Sequence, residues 1–194
     1  MTNNNPAWLT RALGGQPAAA ALSIARLSDE ARLGRGGFAL TSPAFADGGE
    51  LDPSFTAHEE DAVAPPLEWT APPADAADLV LIVEDADAPG TPCHWLAWGF
   101  PAQRVKLLEG EAPPRAGKNA LGNSEWLLPR LNKDDGTHRY VFQLFASDLP
   151  LTMMPGATRE DIVKALDGHV VAAAILTGSF AMPEEDEEWD DGDI

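Results

Sequence analysis

The sequence predicts a mainly β domain with a few helices. Seventeen Gly and seventeen Pro in 194 residues interrupt any long helix, since each Pro removes a backbone donor and each interior Gly weakens helical pairing. Residues 79–83 form an unbroken apolar run with β-branched members, flanked by acidic residues, as in a strand buried on both faces. Tyr140, Phe142 and Leu144 alternate with Val141, Gln143 and Phe145, the period-two pattern of a pleated strand.

Along the chain, residues 1–28 read as a helical extension. Trp8, Leu9 and Leu13 precede an Ala-rich stretch, and Gly14, Gly15 and Pro17 divide it into two short pieces. Such an arm is expected either to dock loosely or to pack on a second copy of the chain, giving a homodimer. Residues 38–73 are turn-rich, with Ser42-Pro43, Asp47-Gly48-Gly49, Asp52-Pro53 and Pro65-Pro66 between short apolar groups. Residues 79–83 should deliver Glu84, Asp85 and Asp87 into a following loop. Residues 95–100 form the next strand, with 140–147 as its expected partner. Thr158 before Arg159-Glu160-Asp161 is an N-cap with an acidic first turn, Ile162, Ala165 and Leu166 give that helix an apolar face, and Gly168 stops it. Residues 170–180 return as a strand. The division is an extension at 1–28, a β-rich domain at 29–182 and an acidic tail at 183–194, expected to be disordered because like charges repel and little remains to bury.

Composition narrows the function. Thirteen basic residues against 31 acidic ones give a formal charge of −18, and eight of the acidic residues lie between 184 and 193. No cluster of Lys and Arg exists to meet a polyphosphate or an anionic bilayer, so neither nucleic acid nor stable membrane insertion is expected. A single cysteine, Cys93, precludes an intrachain disulfide and a multi-thiolate zinc site. Residues 17–25 have the small residues of a signal peptide, but Arg26 follows at once, so a cytoplasmic location is expected.

Several signatures fail on their own chemistry. Residues 110–119 suggest a phosphate loop, yet the glycine spacing is wrong and Asn119 stands where a Ser or Thr hydroxyl is needed. Gly122-Asn123-Ser124-Glu125-Trp126 begins like a nucleophile elbow but ends on Trp126 instead of Gly. His58-Glu59-Glu60-Asp61 lacks a second His. Cys93 and His94 are consecutive on an extended segment, so their side chains should point to opposite faces and form no dyad.

What remains is a set of three segments, each at a strand edge: Asp85-Ala86-Asp87-Ala88-Pro89, Cys93-His94-Trp95 and Gly136-Thr137-His138-Arg139-Tyr140. On neighbouring strands these would bring carboxylates, two imidazoles and a phenol to one rim, the usual form of a ligand site.

These three segments resemble the phosphatidylethanolamine-binding proteins, in particular their bacterial Raf-kinase-inhibitor-like branch. Pro65-Pro66-Leu67-Glu68-Trp69 and Gly168-His169-Val170 extend the resemblance over about residues 38–180. It implies antiparallel β-sheets and a small pocket for phosphate-like anions, lined by Asp85, His94, His138 and Tyr140. Asp87, Ala88 and Pro89 would shape its wall, and Gly122 would stand in the adjoining loop. It implies a regulatory binding protein, without a cofactor or metal, that modulates a kinase or protease and carries a phosphate-bearing small molecule or phospho-residue. The alternative is a phosphoester hydrolase using His and Asp or a metal. Residues 122–129 depart from the family's Gly- and Pro-rich loop, and Ala86 replaces its usual Pro.

In a chain of this charge an anion needs local donors. A carboxylate at Asp85 beside His94 or His138 would favour imidazolium, and a zwitterionic ligand could place its ammonium on Asp85 or Asp87. Arg139 is expected to face away and brace a loop. Trp126 could cover the ligand or pack in the core.

Overall fold

A computed structural model of the chain describes residues 5–183; the acidic tail expected beyond them lies outside the described residues. Among the described residues, nine strands form two sheets. The larger has the order β2 (Gly49–Glu50), β9 (Val170–Phe180), β8 (His138–Ser147), β4 (Asp78–Asp85), β5 (Cys93–Pro101) and β7 (Arg115–Ala116). All its pairings are antiparallel except β2 with β9. The smaller holds β1 (Leu40–Thr41), β3 (Leu67–Trp69) and β6 (Lys106–Leu107).

The fold class expected from sequence is the one observed, but one pairing differs. β5 and β8 do not pair with each other; β4 lies between them, hydrogen-bonded to both. Its apolar run is buried throughout, and a strand covered on both faces belongs inside a sheet, where both edges are also satisfied. Glu84 and Asp85 therefore end the strand instead of entering the loop after it.

The alternation in β8 sorts its residues between two cores. Tyr140, Phe142 and Leu144 join Leu67, Trp69 and Leu107 of the smaller sheet in the space between the two sheets. Val141 and Phe145 face the opposite layer, built from α1 (Ala7–Ala12), α2 (Ser23–Leu27) and α3 (Arg159–Leu166). Thr158 and Asp161 close a reciprocal capping box at the start of α3. Gly168, at φ +79°, supplies the left-handed residue that ends it.

Residues 5–28 are not a loosely docked arm. They fold as the two expected short helices, but Leu9, Leu22 and Ile24 are almost wholly buried against this chain's own sheet. Each such side chain contributes about 1.5–3 kcal/mol of burial. The two leading backbone N–H groups of α2 have no cap of their own. Ser23 N–H donates to Glu84 at 2.8 Å and Ile24 N–H to Gln143 at 2.8 Å, so side chains from the sheet satisfy the helix N-terminus.

Candidate functional site

The ends of β4, β5 and β8 converge at one end of the larger sheet. Asp85 stands opposite Tyr140 in the β4–β8 register. Between β4 and β5, Val83 pairs with Trp95 and Glu84 with Cys93, which leaves His94 as the extra residue of a bulge. The bulge decides the direction of His94. Cys93 faces the helical layer, whereas His94 turns with Trp95 to the inter-sheet face, beside Tyr140 and Trp126. Cys93 thus forms no dyad with His94; its Sγ donates to the Trp95 carbonyl, and burial pushes the thiol up to about 12.

The hydrogen bonds give each group a defined state. Asp85 Oδ1 accepts from the N–H groups of Asp87 and Ala88, at 2.9 and 3.0 Å, and Oδ2 accepts from His138 Nδ1 at 2.7 Å. His94 Nδ1 lies 2.6 Å from the Leu127 carbonyl. A carbonyl can only accept, so Nδ1 carries the proton. The Leu127 N–H returns a bond to the His94 carbonyl at 2.8 Å. His94 and Tyr140 meet edge to face with ring centroids 4.9 Å apart. His138 and Tyr140, two apart on β8, share that face.

Of the two imidazoles that Asp85 was expected to favour as cations, the one it hydrogen-bonds is His138. Burial depresses the His94 pKa; the Leu127 carbonyl and Asp85 oppose that shift, and His138 adds to it. His94 is therefore neutral at pH 7. Burial, reinforced by Asp85, Asp87 and Asp135, raises the Tyr140 pKa, so its phenol remains a donor.

Of the remaining sequence candidates, Ala88 offers its N–H to Asp85, and Pro89 is exposed on the turn after β4. Gly122 sits at the exposed end of a turn, its N–H on the Asn119 carbonyl, with no bond or ring contact to the histidines. Asp87 bonds Arg139 and neither histidine. Its carboxylate accepts from the Arg139 backbone N–H and from the Arg139 guanidinium, at 2.6–2.8 Å. Burial opposes ionisation there, but the Arg139 bonds hold Asp87 below the usual carboxylate range. Arg139 braces the N-terminal arm, donating to the carbonyls of Gln16 and Pro17 at 3.0 and 2.8 Å. A cavity of about 610 Å³ opens on this side, with Asp87, Arg139 and Thr177 in its wall.

Trp126 is a core residue. It stacks on Phe142 at 5.8 Å, meets Trp95 edge-on at 5.8 Å and donates Nε1 to the Phe55 carbonyl at 3.0 Å. The divergent loop thereby anchors Leu127, whose carbonyl fixes His94. Sequence could not show this backbone partner; the large apolar residues replacing Gly in the loop were its sole trace. Among the described residues, no group of three or more His, Cys, Asp or Glu is arranged to hold a metal ion.

A family model described as phosphatidylethanolamine-binding protein matches residues 41–181. The chain belongs to that family. A UPF0098 protein of Methanothermobacter thermautotrophicus is 35% identical over 149 residues, covering 73% of this chain and 97% of its own length. LppC of Mycobacterium tuberculosis, whose name describes it as a lipoprotein, is 33% identical over 144 residues, 73% of this chain and 71% of its own. The structure of a phosphatidylethanolamine-binding protein homologue from Chlamydia trachomatis superposes with a TM-score of 0.70 at 33% identity, covering 77% of this chain and 98% of that one. E. coli YbcL shares the fold, with a TM-score of 0.68 at 21% identity over 75% of this chain and 99% of its own. The helices α1 and α2 precede the stretch matched by the phosphatidylethanolamine-binding protein model. Among the described residues, no helix is long and apolar enough to cross a membrane.

Proposed function

We propose that this phosphatidylethanolamine-binding protein family member binds a small phosphate-bearing anion at His94, His138 and Tyr140, and acts as a binding module rather than a catalyst. The observation that carries this reading is which polar atoms are left over. Among the described residues, only Trp98 Nε1 and Thr177 Oγ1 are both sealed from solvent and unpartnered. His94 Nε2, His138 Nε2 and Tyr140 Oη have no hydrogen-bond partner either, although His94 and Tyr140 keep only 6% and 1% of their surface exposed. Buried polar groups are normally satisfied, so three unpartnered ones on a single face mark a place for a polar ligand.

An ammonium on the same ligand finds little here. Asp87 already bonds Arg139, and both oxygens of Asp85 are taken. The phosphate is the feature this site can read, whether on a free monoester or on a phosphorylated side chain of a regulated protein. Isothermal titration with inorganic phosphate and phosphoethanolamine between pH 5 and 8 tests the reading. Binding of both is expected, with similar affinity and with loss in His138→Ala. No binding of either at any pH would remove it.

A further inference from the structure

We infer that the site takes its oxyanion with a proton attached: a phosphate monoester monoanion whose P–O–H donates to His94 Nε2, while Tyr140 and His138 donate to its other oxygens. The inference rests on the oxyanion reading above and specifies its chemistry.

The argument is a count of donors and acceptors. The bond from His94 Nδ1 to the Leu127 carbonyl, 2.6 Å long, commits the ring proton to Nδ1. Nε2 then presents a lone pair, and the ring, 6% exposed, is too buried for a second proton to be favourable. The charged and titratable groups around it are Asp85 on β4 and His138 and Tyr140 on β8; the loop contributes only the Leu127 carbonyl and the Trp126 ring. Asp85 faces His138, not His94, so no carboxylate hydrogen-bonds the His94 ring to stabilise an imidazolium there.

Tyr140 Oη–H is a donor. His138, its Nδ1 held by the Asp85 carboxylate, donates from Nε2 in its doubly protonated form. With His138 in that form the site shows two donors and one acceptor. A phosphate monoester monoanion is the complement, with two oxygens that accept, one hydroxyl that donates and a single charge. A dianion would set a bare oxygen against the His94 lone pair. So would a sulfate ester or a phosphodiester, including the diester of an intact phosphatidylethanolamine headgroup.

Methyl phosphate and methyl sulfate separate these cases at pH 5. There methyl phosphate is mainly a monoanion, its second ionisation lying near pH ~6. The two probes then have nearly the same shape and the same charge, and only methyl phosphate carries an acidic proton. Titration should show methyl phosphate binding about tenfold or more tighter than methyl sulfate, the worth of one hydrogen bond with its lone-pair repulsion. Dimethyl phosphate should behave like the sulfate. In His94→Phe the preference should collapse to near unity.

A preference below about threefold in the wild-type protein, or one that His94→Phe leaves intact, overturns the inference while leaving the oxyanion site in place. Failure of every probe to bind overturns the oxyanion reading itself. Because His94→Phe can disturb folding, ring ¹⁵N resonances of the wild-type complex give a second readout. Nε2 of His94 should keep the shift of an unprotonated nitrogen when methyl phosphate is bound, and a protonated Nε2 overturns the inference.

Discussion

Glu84 and Asp85 are adjacent carboxylates at the end of one strand, and they show how one sheet serves two purposes. Glu84 points to the helical layer, 1% exposed, and accepts from Ser23 N–H and Oγ, Gln143 Nε2 and Arg159, all at 2.7–2.8 Å. Asp85 points to the inter-sheet face and accepts from His138 Nδ1, and that ring's Nε2 has no partner. The Glu84 network is closed and ties the arm, the sheet and α3 together. The Asp85 network is open on one side. A closed buried network specifies a fold, whereas an open one leaves polar atoms free for a further partner.

That contrast can be broken from the structural side first. Glu84→Ala should destabilise the protein most, by about 3–5 kcal/mol, because it removes the buried acceptor of three donors and the charged partner of Arg159. Urea unfolding measures the loss, and phosphate affinity of the folded fraction should stay within about twofold of wild type. Leu9→Ala follows, at about 3 kcal/mol for emptying a fully buried position. A cost under about 0.5 kcal/mol would mean the arm is peripheral after all, as a surface substitution is.

The sequence carried the strand pattern and the helix with its Thr158 cap, because each rests on local periodicity or a cap residue; it also marked three polar segments at strand ends, while naming Asp85, His94, His138 and Tyr140 as one set rested on the family resemblance. What it concealed depended on distant partners. The insertion of β4 between β5 and β8 follows from burial on both faces. The bulge at His94 is a register shift of a single residue, which no composition rule marks, yet it decides the face on which the imidazole lies. Asp87 looks like Asp85 in the sequence; only the Arg139 guanidinium, brought over by β8, separates their roles. The Leu127 carbonyl is backbone and has no residue signature.

On the open side, Asp85→Asn sharpens the comparison with Glu84→Ala. The amide keeps one acceptor but removes the negative charge beside His138, and one of its own N–H groups competes for a place among existing donors. Stability should fall by only about 1 kcal/mol. Phosphate affinity at pH 6 should fall tenfold or more, as read by titration calorimetry. An unchanged affinity would mean that His138 acts without its carboxylate.

The smallest effect concerns protons on His94. Its pKa is depressed in the folded protein, chiefly by burial, from an unfolded value near 6.5. Between those two values the unfolded chain binds more protons than the folded one, so stability rises with pH. The native state is fully favoured on this account above pH 6.5, and the advantage declines as pH falls below it, levelling off beneath the folded pKa. In His94→Phe this contribution vanishes. The stability difference between wild type and variant should therefore shrink steadily from pH 7 to pH 5, by well under the ~1.4 kcal/mol that each unit of pKa separation sets as the ceiling. Parallel unfolding curves at several pH values measure it. Asp85→Asn should leave this slope nearly intact, because the carboxylate pulls the His94 pKa against burial and is a lesser influence than the Leu127 carbonyl. If the slope instead steepens markedly in Asp85→Asn, the charge on Asp85, and not the Leu127 carbonyl, is the main force opposing burial at His94.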